Sequence, residues 1–334
     1  MEDPSVGTAE SGNTHVGTAA LGCPVDRSSK VFFGGSFQTD SAILPLMPVR
    51  WSRKPRVAIV GAGNLARALA ISLRAARYRI DLIISRRPAA SLQRARRLAR
   101  AVGAPAVAAS GAQIQAELVW FCVPDGAIAT AAQSLLGAAD WKGKVALHSS
   151  GALSSDELGA LQARGAAVGS AHPLMTFVRG SIPQLVEVPF AIEGDRKAAS
   201  AARAIVGDLR GRAFTIRKQQ KEAYHAWGMF VSPLLTAMLA ASEDVAAAAG
   251  VGGMAARQRV LPILKQTLAN YARLGAAGSF SGPIARGDVD TVRKHLNALR
   301  GIPAAREVYI TLARAALRTL PSKNRAALEK ILES

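Results

Sequence analysis

Between residues 55 and 195, short apolar runs alternate with stretches of helical periodicity. Residues 57–60 (VAIV), 80–84 (IDLII), 118–123 (LVWFCV), 144–147, 166–170 and 188–192 read as strands. The continuous apolar character of LVWFCV marks a strand covered on both faces, as in a parallel sheet. Leu65, Leu69 and Leu73 recur at i, i+4 and i+8, so the segment after the first strand has one side to bury. Residues 88–102 and those up to Leu136 read as further helices. From about Lys218 the alternation stops. The pattern there predicts one long helix over 218–249, with Gly250 beyond its end and a kink at Pro233. A second helix over 254–274 is stopped by Gly275, and a loop follows over 276–287. Asp288 caps a helix to Arg300, Pro303 starts another to Leu320, and Ser322 caps the last. Residues 223–241 are apolar enough to raise a membrane span. His225, Gly228, Ser232, Pro233 and Thr236 interrupt them, so they read as the buried central helix of a soluble domain.

The first strand runs into Gly61-Ala62-Gly63-Asn64-Leu65-Ala66, a G-x-G-x-x-A turn that opens a helix. Gly61 permits the tight turn, Gly63 lets backbone approach a pyrophosphate, and Ala66 lets helix and strand pack closely. The free N–H groups of the helix start complete a phosphate site. Strand, glycine turn and helix together are the context that makes this a dinucleotide fingerprint. The expected fold is therefore an α/β Rossmann domain followed by an all-α C-terminal domain. Residues 1–53, poor in apolar periodicity and rich in Gly, Ser and Thr, form a disordered extension. Residues 55–195 bind the cofactor, and residues 196–330 serve substrate binding and dimerisation. The extension lacks a secretory signal, and Met47 stands where an alternative start would lie.

The second strand ends in Ser85-Arg86-Arg87. A binder of the unphosphorylated dinucleotide places an acid there, about 20 residues after the turn. A hydroxyl and two guanidinium groups suit a 2′-phosphate instead, so the cofactor is NADP. The other strand ends of an open α/β sheet face the same edge. That places Val123, Pro124 and Asp125 beside the cofactor and His148, Ser149 and Ser150 near its reactive end.

The formal charge of +19 comes from arginines dispersed over Ala-rich helices, with one concentration at Arg86 to Arg100. Without aromatic interleaving or a Lys/Arg block, this reads as solvated helix faces that attract anionic ligands, not as a nucleic-acid surface. Two cysteines, Cys23 and Cys122, give no disulfide framework and no metal-ligand spacing. A reducing, cytoplasmic location follows.

The motifs GAGNLA, VPD, HSSGAL, AHPLMTF, PFAIEGD, AYHAW and GPIARGD together resemble the Rossmann-like proteins with a DUF2520 C-terminal domain. The resemblance spans roughly residues 55–320. It implies an NADP-dependent oxidoreductase of 6-phosphogluconate dehydrogenase-like architecture, distantly similar to pyrroline-5-carboxylate and ketopantoate reductases. The family's tyrosine–histidine pair is present as Tyr224-His225. Trp227, Gly228 and Ser232-Pro233 stand where the family often has small residues and an Asn.

Such an enzyme needs a proton donor and anchoring groups for substrate. His225 is the first candidate donor. Ser232, seven residues on, and Thr236 would extend one polar stripe along a buried helix face. Lys221, one turn before His225, is a second candidate donor or a solvated residue. Ser149, Ser150 and His172 are candidate substrate contacts. Arg286 is placed to clamp a substrate carboxylate with its planar fork. The expected reaction is reduction of a small carboxylate-bearing keto or imino compound in the cleft between domains. A ketopantoate reductase-like enzyme and a non-catalytic nucleotide sensor are the alternatives. A homodimer through the helical domain is expected, without nucleic-acid or membrane partners.

Overall fold

The computed structural model describes residues 53–333. Expectations for the extension, including those on Met47 and Cys23, lie outside them.

Eight strands form one sheet in the order β3-β2-β1-β4-β5-β6-β7-β8. They are β1 (Val57–Val60), β2 (Ile80–Ser85), β3 (Ala106–Ala108), β4 (Leu118–Phe121), β5 (Val145–His148), β6 (Ala167–Pro173), β7 (Pro189–Gly194) and β8 (Arg212–Thr215). Strands β1 to β6 are mutually parallel. β7 runs antiparallel to β6, and β8 parallels β7. Helices cover both faces, which is why the central strands are apolar at every position. Val57, Ile59, Leu118, Trp120, Val145 and Leu147 point to one side. There they meet α1 (Asn64–Ala75), α2 (Ala89–Val102) and α5 (Arg196–Asp208). The Leu65–Leu69–Leu73 stripe lies in this layer, Leu65 at its margin. Ala58, Val60, Val119, Phe121 and Ala146 meet α3 (Ile128–Ser134) and α4 (Gly159–Gln162) on the other side.

The sheet does not stop at residue 195. Helix α5 packs on β6 and β7, and β8 extends the sheet, so the expected boundary at 195/196 falls inside the α/β layer. Helical architecture begins at Lys218, where the alternation ends. The long helix expected over 218–249 is two helices, α6 (Lys221–Val231) and α7 (Pro233–Ala248). Ser232, with φ −131° and ψ −81°, breaks them apart, because a residue before proline is driven out of the α region. Helix α8 (Gly253–Ser279) changes direction at Gly275, whose φ of 70° is left-handed. Helices α9 (Pro283–Arg286), α10 (Val289–Ala298), α11 (Pro303–Thr319) and α12 (Arg325–Glu333) follow. Asp288 caps α10 by accepting from the Thr291 N–H. Ser322 does not cap α12; its hydroxyl donates to the Ile284 carbonyl.

The helical region has a small core of its own, built from Val292, Leu296, Ala313, Leu317, Leu328 and Leu332. Helix α7 contributes no buried residue, and α8 only Ala256. The stretch Lys218–Ala248 is long and apolar enough to cross a membrane, with mean hydropathy 1.3, yet its apolar window is uncovered. The expectation of a buried central helix is therefore not met within a single chain.

Candidate active site

The cofactor turn leaves β1 at its carboxyl end. Gly61 has φ 112°, and a Cβ there would stand 2.2 Å from the Cys122 carbonyl oxygen of the neighbouring strand end. That backbone cannot yield, so only glycine fits. A Cβ on Gly63 would meet nothing within 4 Å. The space above Gly63 is open, and α1 begins there with no side chain capping its free N–H groups. This is a cradle for a pyrophosphate. The cavity it belongs to measures about 620 Å³ and runs between the carboxyl ends of β1, β2 and β4. Gly61, Gly63, Ser85, Arg86, Arg87, Val123 and Pro124 line it, as the strand-end rule placed them. Ala66 is fully buried and Leu65 packs on the core, so both support the turn and leave the cavity wall to backbone. The Asn64 amide donates to the Phe177 carbonyl across 3.1 Å, fastening the loop after β6 to the start of α1. Arg94 and Ser110, which the strand-end rule missed, also line the cavity. Ser110 accepts from Arg87 Nε, and Arg94 donates to Ser91. Arginines at three positions around one polar rim fit the 2′-phosphate of NADP.

The second cluster lies where β5 and β6 end and α6 begins. His148 is fully buried. Its Nδ1 accepts from the Ser150 N–H, so Nε2 carries the proton and donates to the Ser154 carbonyl, 2.9 Å away. Burial pushes its pKa down to about 4. With both nitrogens engaged, this is a neutral histidine that shapes its loop. Two expected ligand contacts are engaged in the same way. Ser150 is buried; its hydroxyl donates to Asp125 and accepts from the N–H groups of Ala152 and Leu153. Ser149 accepts from Trp120 Nε1 across 2.8 Å. Asp125 accordingly faces Ser150 and does not line the cofactor cavity.

Lys221 is 1% exposed, which corrects the reading of it as solvated. Its ammonium donates to the Ser150 carbonyl and to the Ser170 hydroxyl. Burial lowers its pKa to about 8, against the opposing charges of Glu193 and Asp125. Glu193, also buried, accepts from the N–H and hydroxyl of Ser155. The sequence contained a signal for Lys221: it sits one turn before Tyr224 and His225 on the same helix.

Tyr224 and His225 bring α6 onto the sheet edge. The Tyr224 hydroxyl lies 2.9 Å from His172 Nδ1, and the two rings meet edge to face. His172 and His225 also pack edge to face, their centroids 6.4 Å apart. Both point at Gly151. A Cβ on that residue would stand 2.9 Å from His172 Nε2 and 2.8 Å from His225 Cδ2. Burial, with Lys221 and His225 nearby, lowers His172 to about 4, so it is neutral at pH 7. The stripe expected from His225 through Ser232 to Thr236 does not form, because the helix breaks at Ser232. Thr236 bonds only the Ser232 carbonyl there. Arg286 lies exposed at the end of α9, a helix that packs on α10. It is not brought to this cluster.

Comparison with known proteins bears on both halves of the chain. Residues 56–148 match the model for the NADP oxidoreductase, coenzyme F420-dependent, family, and residues 188–316 match the domain of unknown function DUF2520. No curated protein matches the chain. A Bacteroides fragilis protein described as an NADP oxidoreductase is 24% identical, with TM-score 0.67, covering 78% of this chain and 97% of its own. An imine reductase from a Pseudomonas species is 21% identical, with TM-score 0.57, covering 84% and 100%. A pyrroline-5-carboxylate reductase from Coxiella burnetii is 14% identical, with TM-score 0.52, covering 84% and 98%. The resemblance carried by the motifs stands: the NADP oxidoreductase match covers residues 56–148, the DUF2520 match covers residues 188–316 from the start of β7 into α11, and the fold is shared with these reductases.

Proposed function

We propose that the protein reduces a small carboxylate-bearing keto or imino compound beside Gly151, where the sheet edge meets α6. The observation that carries this reading is the convergence of the His172 and His225 imidazoles on a residue without a side chain. Reduced NADP, held by the glycine turn and the arginine rim, supplies hydride when bound. The chain's own contribution is to orient the substrate and provide the proton. His225, half-buried on α6, serves to orient the substrate, packed edge to face on His172 at the same glycine. The buried Lys221 ammonium adds a positive field that favours an anionic substrate, a role first expected of Arg286. An imine reductase and a pyrroline-5-carboxylate reductase share the fold, which supports a C=N or C=O compound as substrate.

The test is NADPH oxidation over a panel of keto and imino acids. His225→Gln should lower kcat/KM on the best of them about a hundredfold or more, with NADPH affinity retained. Unchanged turnover would remove His225 from the reacting centre.

The oligomer belongs to the same reading. The end of α6, with α7 and α8, carries large apolar side chains in water, among them Phe230 on α6 at 70% exposure and Met254 on α8 at 72%. A second copy, apposing the same face, covers them. A membrane is the poorer cover, because the apolar stretch is broken at Ser232 and α7 carries the charged pair Glu243–Arg257 to α8.

A further inference from the structure

Resting on that reductase reading, the geometry points to His172 as the group that delivers the proton to the reduced substrate, with Tyr224 as the positioning residue behind it. Two neutral side chains are arranged in series. The Tyr224 hydroxyl bonds His172 Nδ1, and among the described residues that ring nitrogen is its one hydrogen-bond partner. A buried hydroxyl proton without an acceptor is costly, and Nδ1 is the acceptor within reach. Tyr224 is therefore the donor, Nδ1 the acceptor, and the imidazole proton resides on Nε2. That nitrogen closes on Gly151, 2.9 Å from where a Cβ on that residue would stand.

Tyr224 is itself fixed. It packs with Ala191, Ile216 and Leu174, and its ring meets Phe214 and Trp227 at centroid distances of 6.0 and 6.1 Å. His172 stands on β6, which overshoots its neighbour: His148, the last residue of β5, pairs with Ser170. Residues 171–173 of β6 thus pair with β7 alone. The charged and titratable groups acting on the ring are Lys221, His225, Asp125 and His148. None of them bonds to it, so the tyrosine alone selects the tautomer.

The step balances as follows. Hydride adds to the carbonyl carbon, and the π electrons move to oxygen. The oxygen forms an O–H bond as the His172 Nε2–H bond breaks. The Tyr224 O–H proton passes to Nδ1 as this occurs; Nε2 then takes a proton from water and Nδ1 returns its proton to the phenolate, which restores the starting tautomer. A neutral imidazole suits this task because it polarises the carbonyl without first having to be charged.

The experiment is long-range ¹H–¹⁵N NMR of the NADP⁺-loaded protein, with His172 assigned by His172→Gln. The expected spectrum shows His172 as the neutral Nε2–H tautomer at pH 7. Tyr224→Phe should convert it to a tautomer mixture. An Nδ1–H imidazole in the wild type, or a tautomer unmoved by Tyr224→Phe, overturns the relay. In turnover on the best substrate of the panel, His172→Gln should cost about a hundredfold while NADPH affinity stays within twofold. A change in KM alone would make His172 a binding contact and refute the assignment. Failure of the wild type to bind NADPH would sink the reductase reading, and the tautomer result would stand apart from it.

Discussion

Lys221 offers the sharpest physical test of the site, because its cost can be read from pH alone. The ammonium is 1% exposed, held by the Ser150 carbonyl and the Ser170 hydroxyl, and its pKa falls from 10.5 to about 8. Below about pH 8 it is charged in both folded and unfolded chains, and the fold bears the full desolvation cost. Between about 8 and 10.5 the folded lysine is largely neutral while the unfolded one still holds its proton. Unfolding then takes up a proton, so this residue makes stability rise with pH. At about 1.4 kcal/mol per pH unit, the whole gain is about 3 kcal/mol. Cys122 works in the opposite direction. Its buried thiol is pushed up to about 12, so its contribution is lost above its ordinary 9.0. The Lys221 contribution is therefore isolated by difference. Urea unfolding of the wild type and Lys221→Met should be followed from pH 7 to 10.5. Removing the donor leaves the Ser150 carbonyl and Ser170 unpaired, an offset that does not depend on pH. The difference in unfolding free energy should nevertheless shift by about 3 kcal/mol in favour of the wild type across the window. Parallel pH curves for the two proteins would refute the buried-ammonium account.

Arg86→Ala with Arg87→Ala should weaken NADPH at least tenfold and leave NADH unchanged, measured by fluorescence titration; equal losses for both would detach these arginines from the 2′-phosphate. Gly151→Ala places a methyl carbon 2.8 to 2.9 Å from two imidazoles. It should cost about 1–3 kcal/mol of stability and abolish turnover with NADPH binding retained; full activity by the same coupled assay would show that the substrate lies elsewhere. Sedimentation equilibrium should find a dimer, and Phe230→Glu with Ile263→Glu should give a folded monomer. A monomeric wild type would overturn the oligomer proposal.

The parallel core was legible because strands covered on both faces must be apolar throughout, and LVWFCV admits little else. Strands β3 and β8 were not. β3 has three half-buried residues, and β8 reads Arg-Ala-Phe-Thr with every position exposed. An edge strand with no apolar run is defined only by its pairing, which local pattern does not record. The cofactor residues were readable because strand ends share one edge by topology. The engagement of Ser150 and Asp125 with each other was not, because it depends on how one loop folds back on another. Lys221 stood between candidate donor and solvated residue because it lies close to the helix start, where periodicity does not record what covers the first turn. The break at Ser232 was written in its following proline, though periodicity ran through it. For α7 and α8, apolar residues signal burial but do not say which chain provides the cover.

The junction between β8 and α6 constrains how the molecule moves. Two residues, Ile216 and Arg217, separate the last strand from the helical turn at Lys218. Ile216 still donates to the Ile192 carbonyl of β7, and Lys221 is already bonded into β6. The first turn of the helical region is therefore bonded directly to β6 and β7. The segment 174–188, between β6 and β7, is tethered separately, to the start of α1 through the Asn64–Phe177 bond. One hydrogen bond thus joins the loop that follows His172 to the helix start beside the glycine turn.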